Sequence, residues 1–112
     1  MNLLVVILKK ADLINDICHA LAEAKIPGGT IIDGKGMAGV LETMTDLPIF
    51  GMLKSILADD DDDDTVKTLW LVMNDEELDR AKSAIHEVAA LDEPNTGIMF
   101  ALPVTFVEGL GA

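Results

Sequence analysis

The sequence predicts an α+β fold, a four-stranded antiparallel sheet with two helices on one face. Three observations predict it: four short apolar runs rich in β-branched residues, two segments with apolar residues at three- and four-residue spacing, and the order βαββαβ in which they alternate. The chain has 112 residues, of which 50% are hydrophobic and 25% charged, so it has the length and apolar content of one folded domain with one core.

Residues 3–8, Leu-Leu-Val-Val-Ile-Leu, form an unbroken apolar run that reads as a strand buried on both faces. Asp12 is placed to cap the helix that follows, because its carboxylate can accept from the orphan amides of a first turn. Leu13, Ile14, Ile17, Leu21 and Ala24 then recur at helical spacing, with Asn15, Asp16, His19 and Glu23 off that stripe. Pro27-Gly28-Gly29 predicts the end of the helix, and Thr30-Ile31-Ile32 starts a second strand running toward Lys35. Residues 66–73, Val-Lys-Thr-Leu-Trp-Leu-Val-Met, give the third strand. Asn74 with Glu77 three residues on predicts a capping box, and Leu78, Ala81, Ile85, Val88 and Ala89 line one face of the second helix. After Pro94, Asn95 and Gly97, residues 98–104 form the fourth strand. Pro103 predicts an edge position for it, since a residue without an amide proton cannot sit in a central ladder.

That order corresponds to the split βαβ, or ferredoxin-like, sandwich. Both helices then lie on one side of the sheet. The first, third and fourth strands carry few polar residues at either parity, so the other sheet face is apolar too. Such a face is expected to far exceed the few hundred Å² of apolar patch usual on monomers, which predicts that further copies of the chain cover it.

Eight basic and twenty acidic side chains give a net charge of −12. A field of that sign repels phosphate backbones and anionic headgroups, so nucleic acid and acidic membrane surfaces are excluded as natural partners. The N-terminal apolar run has no basic residue before it and is too short for a signal peptide, and no apolar stretch reaches the roughly 20 residues of a membrane span. Cys18 is the one cysteine and has no partner for an intramolecular disulfide, which fits a reducing compartment and a cytoplasmic, soluble protein. Cys18 reads as a small hydrophobe, and His19 and His86 as surface residues without metal-ligand spacing.

The connection at residues 38–65 is long for a compact domain, and such connections are usually functional. Its first half is apolar and includes Leu47, Phe50, Met52 and Leu53, while residues 59–64 are six consecutive aspartates. Carboxylates packed so closely repel one another, and the run lacks the spaced ligands and turn glycine of a calcium loop; a solvated tether and a divalent-ion site are its two readings. Residues 47–57 fit a partner-docking element and a short packed helix equally well.

Three stretches resemble the PII family of signalling proteins, the nitrogen regulatory proteins, and its diverged PII-like relatives. Ile7-Leu8-Lys9-Lys10 followed by Leu13 is similar to the family's opening strand and its lysine before the first helix. Residues 31–37, Ile-Ile-Asp-Gly-Lys-Gly-Met, resemble the strand end where Lys-Gly-Phe-Gly introduces the T-loop. Residues 97–104, Gly-Ile-Met-Phe-Ala-Leu-Pro-Val, resemble the last strand, a glycine followed by Lys-Ile-Phe-Val-Leu-Pro-Val. The resemblance runs over essentially the whole chain. It implies a homotrimer, an effector site between subunits, and a T-loop-like arm at 38–65 that docks on a membrane transporter or an enzyme.

It also implies candidate residues: Lys9, Lys35, Gly36, Met37, Thr96 and Gly97 for ligand binding, with Lys67 near the same cleft, and Leu47, Phe50, Met52 and Leu53 for the partner. The departures concern phosphate. Where the family places lysines and arginines, this chain has Asp92-Glu93 before the last strand, Ile98 within it and residues 105–109, Thr-Phe-Val-Glu-Gly, after it. Several anionic oxygens need cations or amides close by, so a nucleotide with fewer charges, or another small ligand, is expected instead of ATP. The chain has no tyrosine, which excludes tyrosine nucleotidylation of the arm. No catalytic constellation is present, so no enzyme activity is expected and no cofactor is assigned. The competing reading is a divalent-metal-binding trimer resembling the CutA family, which shares the fold.

Overall fold

The computed structural model describes residues 1–26, 28–37, 40 and 65–110. The elements are β1 (Asn2–Leu8), a 3-10 turn (Ala11–Leu13), α1 (Ile14–Glu23), β2 (Thr30–Lys35), β3 (Thr65–Met73), α2 (Asp75–Val88) and β4 (Gly97–Pro103). The strands form one antiparallel sheet in the order β2-β3-β1-β4. Among the described residues β4 pairs only with β1, so Pro103 lies on an edge strand of this sheet, as its chemistry requires.

Register divides the side chains, because residues directly opposite in an antiparallel pair point to the same face. Leu4, Val6 and Leu8 of β1 and Leu69, Leu71 and Met73 of β3 are buried with Ile14, Ile17 and Leu21 of α1 and Ala81 and Ile85 of α2. The helices therefore cover the even-numbered positions of β1 and the odd-numbered positions of β3, and that layer is the core. The periodicity in both helices falls where expected: Leu13, Ala24, Leu78 and Val88 flank the core half-buried. Cys18 packs beside it, also half-buried.

Two helix boundaries differ from the sequence reading. Asp12 is no cap: Lys10, at φ −85° and ψ 82°, opens a 3-10 turn, and Asp12 falls inside that turn while α1 starts after Leu13. α1 also ends before Gly28. Lys25 takes the left-handed conformation at φ 65°, its amide donates to the Ala22 carbonyl (3.0 Å), and the Ile26 amide donates to the Leu21 carbonyl (2.8 Å). These two bonds make a Schellman motif, closed by Ile26 and Leu21 in the core.

At α2 the capping box forms as expected. The Glu77 amide donates to Asn74 Oδ1 (2.8 Å) and the Asn74 amide to Glu77 Oε1 (3.0 Å). Asn74→Ala is expected to cost about 1 kcal/mol of stability in urea unfolding, as loss of a side-chain cap does elsewhere. A loss under about 0.3 kcal/mol would show that the box does not support the helix.

The opposite sheet face carries Leu3, Val5 and Ile7 of β1, Val66, Thr68, Trp70 and Val72 of β3, Ile98, Phe100 and Leu102 of β4, and Thr30, Ile32 and Gly34 of β2. None of these is charged, in a chain of net charge −12. Val5, flanked in register by Trp70 and Phe100, is buried, whereas Trp70 is 44% and Ile98 57% exposed. Among the described residues, no helix is long and apolar enough to cross a membrane.

Candidate functional site

Topology brings the C-terminal ends of β1 and β2 and the N-terminal ends of β3 and β4 to one end of the sheet. Lys9 leaves β1 there, beside Thr96 and Gly97 at the start of β4. The Thr96 carbonyl accepts from the amides of Lys9 (2.9 Å) and Lys10 (3.3 Å), which joins the two chain segments at the sheet end. Lys9 Nζ donates to Asn95 Oδ1 at 3.3 Å. Asn95 has φ 63°, a left-handed conformation that asparagine tolerates, and this bend turns the chain toward Lys9.

Thr96 is 2% exposed, and among the described residues its Oγ1 has no hydrogen-bond partner. Leaving a buried hydroxyl unpaired costs about 1–3 kcal/mol, so such a group is a natural point for a polar ligand atom to satisfy. Gly97 is required by contact: at φ 152°, a Cβ built on it would lie 2.2 Å from the Ile7 carbonyl oxygen and 3.1 Å from Leu8 Cα. β4 thus approaches β1 more closely here than any side chain allows.

Lys35 closes β2 opposite Thr65 at the same sheet end, two strands from Lys9, or roughly 10 Å at ordinary strand spacing. Gly36 and Met37 follow it, Met37 being 76% exposed. Lys67 sits in register with Asp33 and is tied to it by an ion pair, so its charge is already balanced. The structure thus joins Lys9, Thr96 and Gly97 by direct contact and sets Lys35, Gly36 and Met37 across the sheet end from them. Leu47, Phe50, Met52, Leu53 and residues 59–64 lie outside the described residues. Asn95 was not a candidate in the sequence; the signal that could have found it is its place between Pro94 and Gly97, where asparagine commonly adopts positive φ.

No protein-family model matches the sequence, and no curated protein matches it significantly. Two further features frame the site. Asp92 and Glu93 are exposed in the turn that leads to Asn95, three and two positions before it in the chain. Among the described residues, no three His, Cys, Asp or Glu side chains gather in a way that could hold a metal ion. His19 is paired with Glu23 on the surface of α1 (3.0 Å), and His86 is exposed on α2.

A second concavity of about 500 Å³ lies between α1 and α2. Ala20 and Ser83 make room for it, and Glu23, Asp79 and Glu87 rim it. Arg80, which also lines it, is held by the Ala24 carbonyl (3.2 Å) and Glu76 (2.9 Å). This groove is open, and Lys9, Asn95 and Thr96 are not among the residues that line it.

Proposed function

We propose that the chain is a PII-like signal-transduction protein of the cytoplasm, a homotrimer that binds a small-molecule effector between subunits and docks on a partner through the arm at 38–65. One observation carries the reading. An uncharged apolar sheet face, in a chain of net charge −12, ends at the cluster of Lys9, Asn95 and the unpartnered Thr96 hydroxyl. Apposing copies through that face would bring each cluster to the border of a subunit interface, where small-molecule sites commonly form.

The placement of the arm supports the same reading. Lys35, before the connection, and Thr65, its last residue and the first of β3, are directly paired in register, so the connection leaves and returns at the sheet end that carries Lys9 and Thr96. An effector seated there would lie against both roots of the arm. Such contact would let occupancy bias the arm's conformations, since a ligand shifts an equilibrium through its differential contacts with the two states.

The effector expected is small, with one or two anionic groups for Lys9 and Lys35 and a polar atom for Thr96 Oγ1. A triphosphate would bring more negative charge than these lysines offset, with Asp92 and Glu93 close in sequence to the site. Light scattering should give about three chains per particle, and calorimetry should show ATP with magnesium binding weakly or not at all. A monomer at micromolar concentration would sink the trimer, and tight ATP binding would reverse the charge argument. A thermal-shift screen of small anions then identifies the effector, because a ligand that binds only the folded state raises the melting temperature. Response to divalent ions alone would favour the metal-handling reading.

A further inference from the structure

We propose that residues 104–110 of one copy pack on the open sheet face of a neighbouring copy, with Phe106 and Leu110 as the anchoring side chains. The inference rests on the self-association proposed above and names what completes the interface. The Val104 amide ties the segment to the sheet by donating to the Met1 carbonyl at 3.0 Å. Beyond Val104, residues 105–110 make no hydrogen bond to a described residue of their own chain. Phe106 is 76% exposed and Leu110 53%, and Glu108 is the one charged residue in the segment.

Area decides that the sheet face needs such an addition. Four strands at about 4.8 Å spacing and seven residues at about 3.3 Å rise give a footprint near 19 by 23 Å, roughly 400 Å². A footprint of that size lies within the range of the largest apolar patches on monomers. A stable interface buries about 800 Å² on each partner, so the face supplies roughly half. An extended segment over 104–110 is about 23 Å long and covers about 200 Å² at a width near 10 Å. Each copy would bury its own face and the segment it gives, about 600 Å², so two copies together reach about 1,200 Å², the lower edge of the range for stable interfaces.

Charge selects a second copy as the occupant. Copies of net charge −12 repel, and the open face and this segment are where two of them can meet with few carboxylates apposed. A basic partner would find no anion on the face to pair with.

The test uses the full chain, the double variant Phe106→Ser/Leu110→Ser, and a chain ending at Val104, compared by light scattering across a concentration series and by Trp70 emission. The dissociation constant of both variants should rise at least about 30-fold, the loss of one hot-spot side chain. Emission should shift to the red as Trp70 loses its cover, while circular dichroism stays unchanged because neither side chain is buried in its own chain. Variants that keep the parent's dissociation constant and emission overturn the segment's role while leaving self-association intact. A parent chain that is monomeric throughout overturns both.

Discussion

Gly97→Ala is expected to destabilise the domain by about 3 kcal/mol or more, the largest effect among alanine replacements of the described glycines. Two costs combine. The backbone there has φ 152°, which L side chains rarely adopt, and holding a residue in such a region costs about 1–3 kcal/mol. The new Cβ would also meet the Ile7 carbonyl oxygen at 2.2 Å, a contact with backbone that no rotamer can relieve. Overpacking of that kind adds about 1–3 kcal/mol and moves β4 away from β1. Against a total stability of about 5–15 kcal/mol, the change removes a large fraction of the stability. Urea unfolding at fixed chain concentration measures it, with Gly28→Ala as control, since a Cβ at Gly28 has nothing within 4 Å. A Gly97→Ala chain within about 1 kcal/mol of the parent would mean that the two strands separate there at little cost, and the close approach would lose its role in seating Thr96 beside Lys9.

The elements of the fold were legible because their signals are local. Periodicity in Ile14, Ile17 and Leu21, the Asn74–Glu77 pair and the β-branched runs each act within a few residues, and apart from the two ends of α1 the strands and helices lie over the residues that carry these signals. The errors at α1 arose where backbone conformation outweighed residue type. A sequence rule expects aspartate at a cap and glycine after a helix, but Lys10 opens the 3-10 turn and Lys25 takes the left-handed position. Both parities of β3 are apolar, so only its register with β1 shows that Leu69, Leu71 and Met73 face the helices and Trp70 does not. At the candidate site the limit is sequence distance. Lys9 and Asn95 are 86 positions apart and meet only because β1 pairs with β4, a fact no local window contains. The orphaned Thr96 hydroxyl is likewise a property of packing, since threonine is ordinarily an exposed residue.

If copies associate as proposed, Trp70→Glu is expected to leave the domain folded and to dissociate them, raising the dissociation constant at least 100-fold by about the worth of a central aromatic hot spot. In register, Thr30, Trp70, Val5 and Phe100 form a row across the open face, and the glutamate would put a carboxylate in its middle. In the separated chain that position is 44% exposed, so the carboxylate stays hydrated and the fold loses only sheet propensity and the indole's local packing. In the assembly the same group would be buried without a cation, because the face contributes none, and an unpaired buried charge costs several kcal/mol. Trp70→Phe keeps an aromatic ring there and should retain the parent's mass by light scattering. Salt separates the two electrostatic causes: raising ionic strength from 0.15 to 1 M shortens the screening length from about 8 to about 3 Å, which removes long-range repulsion between copies but not the cost of desolvation. A Trp70→Glu chain that reassembles fully in 1 M salt would place the carboxylate at the rim of the contact, and one that assembles like the parent at low salt would show that the copies do not meet through this face.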